Sequence, residues 1–202
     1  MLRVLGEART VHATFFVWGE QALEHGDVVS EVLQSGHSVQ PHCWRHIAHG
    51  DLDAAEIRAD IDRVSTLLAR LGAPPPHLWR PPWGGLRKFD SRRIAEEHGL
   101  ELVGWTVDSH DWAGRSGEEL YADAKAQIAT ARDDVVVVLM HDSYVEPIQA
   151  THRSDCSATV DLVRRLIDDE DLAFATLLHG LSTNLKEERR LPTTRTEAPS
   201  PG

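Results

Sequence analysis

His42 and His46 stand four residues apart in the fragment HCWRH. Two imidazole side chains at this spacing can bind one metal ion through their neutral ring nitrogens. The spacing alone is weak evidence, because a chain with 12 histidines in 202 residues produces roughly one such pair by chance. The pair gains weight from three later fragments that carry further reactive side chains.

Those fragments are RPPWG at residues 80–84, DSHDW at residues 108–112 and LMHD at residues 139–142. They supply an arginine, several carboxylates, indole rings and two more histidines, of which His141 directly follows an apolar strand. Metal-assisted hydrolysis needs a metal, acid and base groups, and side chains that hold the substrate. The four fragments together are therefore suited to that chemistry.

Short runs of β-branched and aromatic residues alternate with helical patterns along the chain. The predicted strands cover residues 13–18, 37–40, 77–80, 102–107, 135–140 and 173–178. The run VVVVLM at residues 135–140 is apolar on both faces, as a strand covered on both sides must be.

Three helices are predicted between these strands. The first has Asp53 and Glu56 at capping-box spacing, ends at Gly72, and carries one apolar stripe formed by Ile57, Ile61, Val64, Leu68 and Leu71. Ser116 and Glu119 repeat the capping signature before the second helix. The third is marked by Val160, Val163, Leu166 and Ile167. Strands alternating with helices predict an α/β fold with a parallel sheet and helices outside it.

The reactive fragments all fall at the carboxyl ends of predicted strands. His42 and His46 follow the strand at residues 37–40, and Arg80 ends the strand at residues 77–80. Asp108 and His141 follow the next two strands. Because the carboxyl ends of parallel strands lie on one face, this placement predicts a single active site there.

Composition excludes several classes of partner. The formal net charge of -11 disfavours binding to nucleic acid or to an anionic membrane surface. No apolar run reaches the roughly 18 residues of a membrane helix.

The first residues carry no secretory signal, which predicts a cytoplasmic chain, or a secreted one if an amino-terminal segment precedes Met1. Residues 182–202 are rich in Thr, Pro, Glu and Arg and are predicted to form a disordered tail after one domain at residues 1–181.

The order of the motifs resembles the polysaccharide deacetylase (NodB-homology) family, carbohydrate esterase family four. The fragment ATFFV at residues 13–17 and the Gly36-His37 pair also match positions of that family, so the resemblance covers about residues 1–180. It implies a distorted (β/α) barrel. It also implies a metal-dependent hydrolase that removes N-acetyl, sometimes O-acetyl, groups from an N-acylated sugar or polysaccharide.

The resemblance also implies roles for individual residues. His42 and His46 would bind a divalent metal, with Zn²⁺ preferred and Co²⁺ or Ni²⁺ as alternatives. Arg80 would hold the catalytic base, and the backbone N–H at Trp83 would stabilise the oxyanion. His141 would be the general acid.

Asp111 would keep His141 protonated near neutral pH, with Asp108 nearby. Trp112 and Leu139 would line the pocket for the acetyl methyl group, and Pro82 and Trp83 complete the expected substrate contacts.

Two positions depart from the family pattern. Cys43 stands where the family usually has Ser or Thr. The Thr-Phe-Asp-Asp-Gly-type motif, which supplies the base and a carboxylate metal ligand, does not occur, and only 12 residues precede Ala13. We therefore expect the chain to lack the first strand of the family fold. The Asp-Asp pairs at residues 133–134 and 168–169 do not match the motif by position.

Two alternatives remain open at this point. One is a different carbon–nitrogen hydrolase on the same scaffold, acting on a small cyclic amide or ureide. The other is a pseudoenzyme that binds glycan without turnover, because the base motif is absent. The same residues also have ordinary structural interpretations, as surface histidines, loop carboxylates or core tryptophans. Trp105, inside the predicted strand at residues 102–107, is expected in the core.

Overall fold

The structure is a computed structural model that describes residues 1–8, 11–84, 91–132, 135–142 and 156–178. Short parallel strands alternate with helices along these ranges. The strands are β1 (Thr14–Trp18), β2 (Ser38–Cys43), β3 (Leu78–Trp79), β4 (Glu101–Leu102), β5 (Val107–Asp108) and β6 (Val138–Leu139). The α-helices are α1 (Leu2–Glu7), α2 (Gly19–Glu24), α3 (Gly26–Gln34), α4 (Ala54–Arg70), α5 (Ser91–Glu97), α6 (Gly117–Thr130) and α7 (Ser157–Ile167).

The described strands form three parallel pairs, β1 with β2, β3 with β4, and β5 with β6. Helices α2 and α3 connect the first pair, α5 the second and α6 the third. Parallel strands need such crossover connections, because a tight hairpin can join only antiparallel neighbours. The predicted α/β class is confirmed by this arrangement.

Gln40 links the first strand pair to the second. Its side chain is buried, and its Oε1 accepts hydrogen bonds from the backbone N–H groups of His77 and Leu78, each at 3.0 Å. The amide thus takes the place of a main-chain acceptor between β2 and β3. Strands β2 and β3 therefore lie side by side, but they are joined by the Gln40 side chain and not by a continuous series of main-chain hydrogen bonds.

The two capping boxes are confirmed. Asp53 accepts hydrogen bonds from the N–H groups of Ala55 and Glu56 at 2.8 and 2.9 Å, and Glu56 accepts from the N–H of Asp53 at 2.7 Å. Ser116 and Glu119 form the same reciprocal pair at the start of α6. Because these signals depend only on residues three apart, the sequence places both helix starts correctly.

The predicted apolar stripe of α4 faces a core in two parts. Its carboxyl-terminal half packs with Val29, Val32 and Val39 between α3 and β2. Its amino-terminal half packs with Trp79 and Ile94 beside β3 and α5. Helices α6 and α7 bury Val107 between them in a third cluster, so each strand pair has a helical cover.

Several predicted boundaries are wrong. The strand predicted at residues 102–107 is split into β4 and β5, because the carbonyl groups of Val103 and Gly104 accept hydrogen bonds from the Arg80 guanidinium. Trp105 accordingly lies outside any described strand and is half-buried rather than in the core. Strand β2 extends to Cys43, so His42 lies on the strand and not after it.

The strand predicted at residues 135–140 contracts to β6. The Thr106 hydroxyl accepts from the N–H of Val137, and the Ser109 hydroxyl donates to the carbonyl of Leu139. Such side-chain bonds compete with a regular ladder. All six residues of the run are half-buried, so the expected burial on both faces is not observed.

The strand predicted at residues 173–178 is also wrong. Residues 173–176 are exposed and have no strand pairing, and residues 177–178 are helical. β-Propensity reflects packing on a half-buried sheet, which this segment lacks. The predicted tail at residues 182–202 lies outside the described residues. Within the described residues, no helix is long and apolar enough to span a membrane.

Candidate active site

The ends of four strands converge around the predicted site residues. His42 on β2 is hydrogen-bonded to the main chain of Arg80, which follows β3. Asp111 follows β5 and bonds His141, which follows β6. The two groups are close enough for the charge of His141 to contribute to lowering the pKa of His42. The structure thus brings the histidine pair, the arginine and the Asp–His pair to one end of the strands.

His42 presents one ring nitrogen to the site. Its Nδ1 lies 2.5 Å from the carbonyl oxygen of Arg80 and must donate, because a carbonyl can only accept. The Nε2 lone pair is then available for a metal ion. Burial lowers the pKa of His42 to about 3, which outweighs the opposing effect of the Arg80 hydrogen bond. The ring is therefore neutral near pH 7, as a metal ligand must be.

His46 lies beside His42 in the turn that follows β2. The centroids of the two rings are 5.2 Å apart with an interplanar angle of 46°. Indole rings flank His46 on two sides, with Trp83 at 5.1 Å and Trp18 at 5.9 Å between ring centroids. Aromatic contacts of this kind restrict how the imidazole can turn.

Asp60 on α4 anchors the turn between the two histidines. Its Oδ2 accepts a hydrogen bond of 2.7 Å from the backbone N–H of Trp44. One turn further along the helix, the Arg63 guanidinium lies 3.6 Å from the centroid of the Trp44 ring. Burial raises the pKa of Asp60, whereas hydrogen bonds from the backbone of Trp44 and Arg45 oppose that rise. The helix therefore holds both the backbone and the indole of the turn.

The histidine pair suits a divalent metal as part of a coordination shell. Two neutral imidazoles provide two of the four ligands that Zn²⁺ usually takes. In the described ranges, no group of three or more His, Cys, Asp and Glu side chains is arranged to hold a metal. The pair would supply two ligands of a tetrahedral site.

Arg80 is buried and bonds main-chain carbonyls. Its Nη2 donates to Gly104 at 2.8 Å and its Nε to Val103 at 3.4 Å. Its guanidinium also stacks over the Phe16 ring, 4.4 Å from the centroid. None of the carboxylates in the described part of the chain forms an ion pair with Arg80. Burial of the guanidinium lowers the pKa of Arg80 to about 10.

Trp83 projects from a short 3₁₀ turn (Pro82–Gly84) after β3. Its backbone has φ 58°, in the left-handed region that non-glycine residues seldom adopt. Its side chain is 60% exposed although it contacts His46, whereas Pro82 is buried beneath the turn. An exposed indole next to a candidate ligand can stack on an apolar face of a substrate.

Asp111 and His141 form a close dyad. The Asp111 carboxylate has no exposed surface, and its Oδ1 lies 2.8 Å from Nδ1 of His141. Its Oδ2 accepts from the backbone N–H of His141 at 2.7 Å and from the Thr159 hydroxyl at 2.9 Å. Burial raises the pKa of Asp111, but these hydrogen bonds from His141 and Thr159 outweigh it and lower the pKa overall. The carboxylate is thus an anion at neutral pH, and Nδ1 of His141 carries the hydrogen between them.

The other predicted residues surround this dyad. Asp108 bonds the N–H of His110 at 3.1 Å, so Asp111, and not Asp108, holds His141. Trp112 is 45% exposed, and its indole lies 5.7 Å from the His110 ring. Leu139 is half-buried on β6, two residues before His141.

Sequence reasoning missed four residues that support the site. Asp60 and Thr159 bond the histidine turn and the dyad, and Gln127 on α6 exchanges two hydrogen bonds with the backbone of Asp108. Trp105 lies near both Arg80 and Gly84. No local motif marks these side chains, because their partners are distant in sequence.

Comparisons with known proteins identify the family of this chain. The family described as Polysaccharide deacetylase matches residues 1–103, just over half of the chain. The peptidoglycan-N-acetylglucosamine deacetylase PgdA of Listeria monocytogenes is 33% identical over 132 residues, which make up 65% of this chain and 27% of that protein. The chain thus spans about a quarter of the length of this relative.

Solved structures share the fold. Peptidoglycan deacetylase PdaC from Bacillus subtilis superposes with a TM-score of 0.72 at 22% identity, over 93% of this chain and 84% of that one. A carbohydrate esterase family 4 pseudoenzyme from Bacillus anthracis also superposes with a TM-score of 0.72, at 20% identity, over 89% of this chain and 60% of that one. The described strands and helices are accordingly those of a distorted (β/α) barrel, and the chain belongs to the polysaccharide deacetylase family.

Proposed function

We propose that this protein is a divalent-metal hydrolase that removes N-acetyl groups from an N-acylated sugar or polysaccharide. The observation that carries the proposal is the convergence of the His42–His46 pair and the Asp111–His141 dyad at one end of the strands. Amide hydrolysis needs an electrophile for the carbonyl and an acid for the leaving amine, and these two groups can supply them.

The histidine pair would hold Zn²⁺, or Co²⁺ or Ni²⁺ in its place, through one ring nitrogen of each imidazole. When bound, such an ion polarises the acetyl carbonyl and lowers the pKa of a water molecule. The contribution of this chain is to keep His42 neutral by burial, to select its tautomer through the bond to Arg80, and to fix the turn that carries His46.

His141 would donate a proton to the leaving amine through Nε2. Its Nδ1 is engaged by Asp111, so Nε2 is the ring nitrogen that would face a substrate, and 41% of the side chain is exposed. The buried carboxylate fixes the orientation of the ring, as a general acid requires.

A sugar ring would lie against the exposed indoles of Trp83 and Trp112, with Pro82 and Leu139 nearby. Indole faces pack well on the C–H faces of carbohydrates, because they bury apolar area without burying polar atoms. The similarity to a peptidoglycan-N-acetylglucosamine deacetylase supports an N-acetylated glycan as the substrate.

The proposal is tested by measuring acetate release from peptidoglycan and N-acetyl chitooligosaccharides with added Zn²⁺, Co²⁺ or Ni²⁺. Small cyclic amides and ureides serve as competing substrates, because another carbon–nitrogen hydrolase on this scaffold would prefer them. Variant His141→Ala should lower acetate release by about 10²–10⁴-fold, whereas Thr130→Val, far along α6, should not change it. Hydrolysis of a ureide without acetate release would refute the glycan proposal.

A glycan-binding pseudoenzyme is the second candidate. It is favoured by the histidine pair having no third His, Cys, Asp or Glu ligand among the described residues. The similarity to a pseudoenzyme from Bacillus anthracis also supports it. Saccharide binding without acetate release, even after metal loading, would favour this candidate over the hydrolase.

A further inference from the structure

The Asp111–His141 dyad has a third member. Two of the three donors to the Asp111 carboxylate belong to His141, which offers its backbone N–H and its Nδ1. The third is the Thr159 hydroxyl of α7, at 2.9 Å from Oδ2. Among the described contacts, the Thr159 hydrogen bond is the one that joins the Asp111 carboxylate to a residue other than His141.

Thr159 is the third residue of α7, and its hydroxyl donates to the Asp111 carboxylate. Its side chain is also fully buried, and a buried hydroxyl needs a partner. A carboxylate is a stronger acceptor than a neutral carbonyl.

We infer that Thr159 is a positioning residue for the Asp111–His141 dyad. Its hydroxyl fixes the orientation of the carboxylate, so that Oδ1 meets the Nδ1 hydrogen of His141 in line. Thr159 itself is fully buried, so it would act through Asp111 and not on a substrate. The consequence for catalysis rests on the proposed function, because it assumes that His141 transfers a proton.

Replacement by valine isolates this role. Valine keeps the branched shape and removes the donor, so Oδ2 would retain one donor inside a buried site. Because the Thr159 bond is one of the interactions that lower the pKa of Asp111, its loss should raise that pKa. A carboxylate free to rotate would also weaken its bond to His141, and acetate release by any active form should fall roughly 10-fold.

The experiment is an NMR titration of protein labelled with ¹³C at the aspartate carboxyl carbons and ¹⁵N in the histidine rings. Thr159→Val should shift the Asp111 titration upward and weaken the Nδ1–H signal of His141. Thr159→Ser, which restores the hydroxyl, should return both signals towards those of the unchanged protein. Thr130→Val is the matched control, because the Thr130 hydroxyl bonds only carbonyls of its own helix.

Unchanged Asp111 and His141 signals in Thr159→Val would overturn the inference. If the valine variant does not fold, the serine variant decides, since loss of the Nδ1–H signal despite a retained hydroxyl would also overturn it. These readouts do not need turnover. A dyad that depends on Thr159 in a protein that never releases acetate would support the positioning role and refute the proposed hydrolase.

Discussion

His42 donates its Nδ1 hydrogen to the carbonyl of Arg80, with 2.5 Å between the two heavy atoms. This bond joins the end of β2 to the end of β3 and selects the ring tautomer of His42. Trp79, just before Arg80, donates its indole N–H to the carbonyl of His42 at 3.0 Å. One bond runs from His42 to Arg80 and the other from Trp79 back to His42. The orientation of the candidate metal ligand is therefore set by the segment at residues 79–80.

Metal binding should depend on both histidines of the pair. Two imidazoles without a described third ligand should bind Zn²⁺, Co²⁺ or Ni²⁺ weakly, with water completing the coordination. We expect His42→Ala and His46→Ala each to abolish the binding seen by calorimetry, whereas the exposed His25→Ala should not. Tight stoichiometric uptake by His42→Ala would refute the assignment of the ligands.

Loss of His141 should affect turnover and not metal content. In any form of the protein that releases acetate, His141→Ala should lower kcat by about 10²–10⁴-fold, because a general acid contributes on that scale. Metal content, measured by elemental analysis, should stay equal to that of the unchanged protein. A matching loss of metal would instead identify His141 as a ligand.

Asp60 should matter to both stability and metal affinity. In Asp60→Ala the N–H of Trp44 loses its acceptor, which should cost about 1–3 kcal/mol in the free energy of unfolding. The loosened turn should also weaken metal binding roughly 10-fold. The two readouts are a urea titration and calorimetry with Zn²⁺.

Asp53→Ala is the control for Asp60. It removes the N-cap of the same helix, which should cost about 1 kcal/mol, but it leaves the Trp44 bond intact. Metal affinity should therefore be unchanged in Asp53→Ala. An equal loss of affinity in both variants would mean that Asp60 acts only by stabilising α4.

His49 should make the protein less stable as the pH falls. It is 3% exposed, its Nδ1 has no hydrogen-bond partner in the described structure, and burial together with the charge of His46 lowers the pKa of His49 to about 4. Between the ordinary value of 6.5 and about 4, the unfolded chain binds a proton at this position that the folded chain does not. The stabilisation of the folded state by neutral, buried His49 is therefore fully present above pH 6.5, and it decreases as the pH falls from 6.5 to about 4.

The variant His49→Phe tests this dependence. Phenylalanine can keep the stack on Trp79, whose ring centroid lies 5.4 Å away, and it does not titrate. Between pH 6.5 and 4, the wild-type unfolding free energy should rise with pH because the unfolded chain binds up to one proton more than the folded chain. In His49→Phe this difference is lost, so the slope should be smaller by up to about 1.4 kcal/mol per pH unit. Urea titrations at several pH values measure the slope, and an unchanged slope would contradict the role of His49.

The sequence predicted best where the physics is local. The capping boxes of α4 and α6 and the apolar stripe of α4 each depend on residues three or four apart, and the structure confirms them. The order of the reactive fragments relative to the strands also placed them at one end of the sheet. The roles of those residues stay predictions.

Tertiary structure decided the strand lengths and the supporting contacts. The Arg80 guanidinium donates hydrogen bonds to the carbonyl groups of Val103 and Gly104. These bonds divide the strand predicted at residues 102–107, which looks continuous in the sequence. Thr159 reaches Asp111 across 48 residues and Asp60 reaches Trp44 across 16, so no spacing rule could reveal either bond. A hydrogen bond between distant residues forms only when packing brings donor and acceptor within about 3 Å, and packing depends on the whole chain.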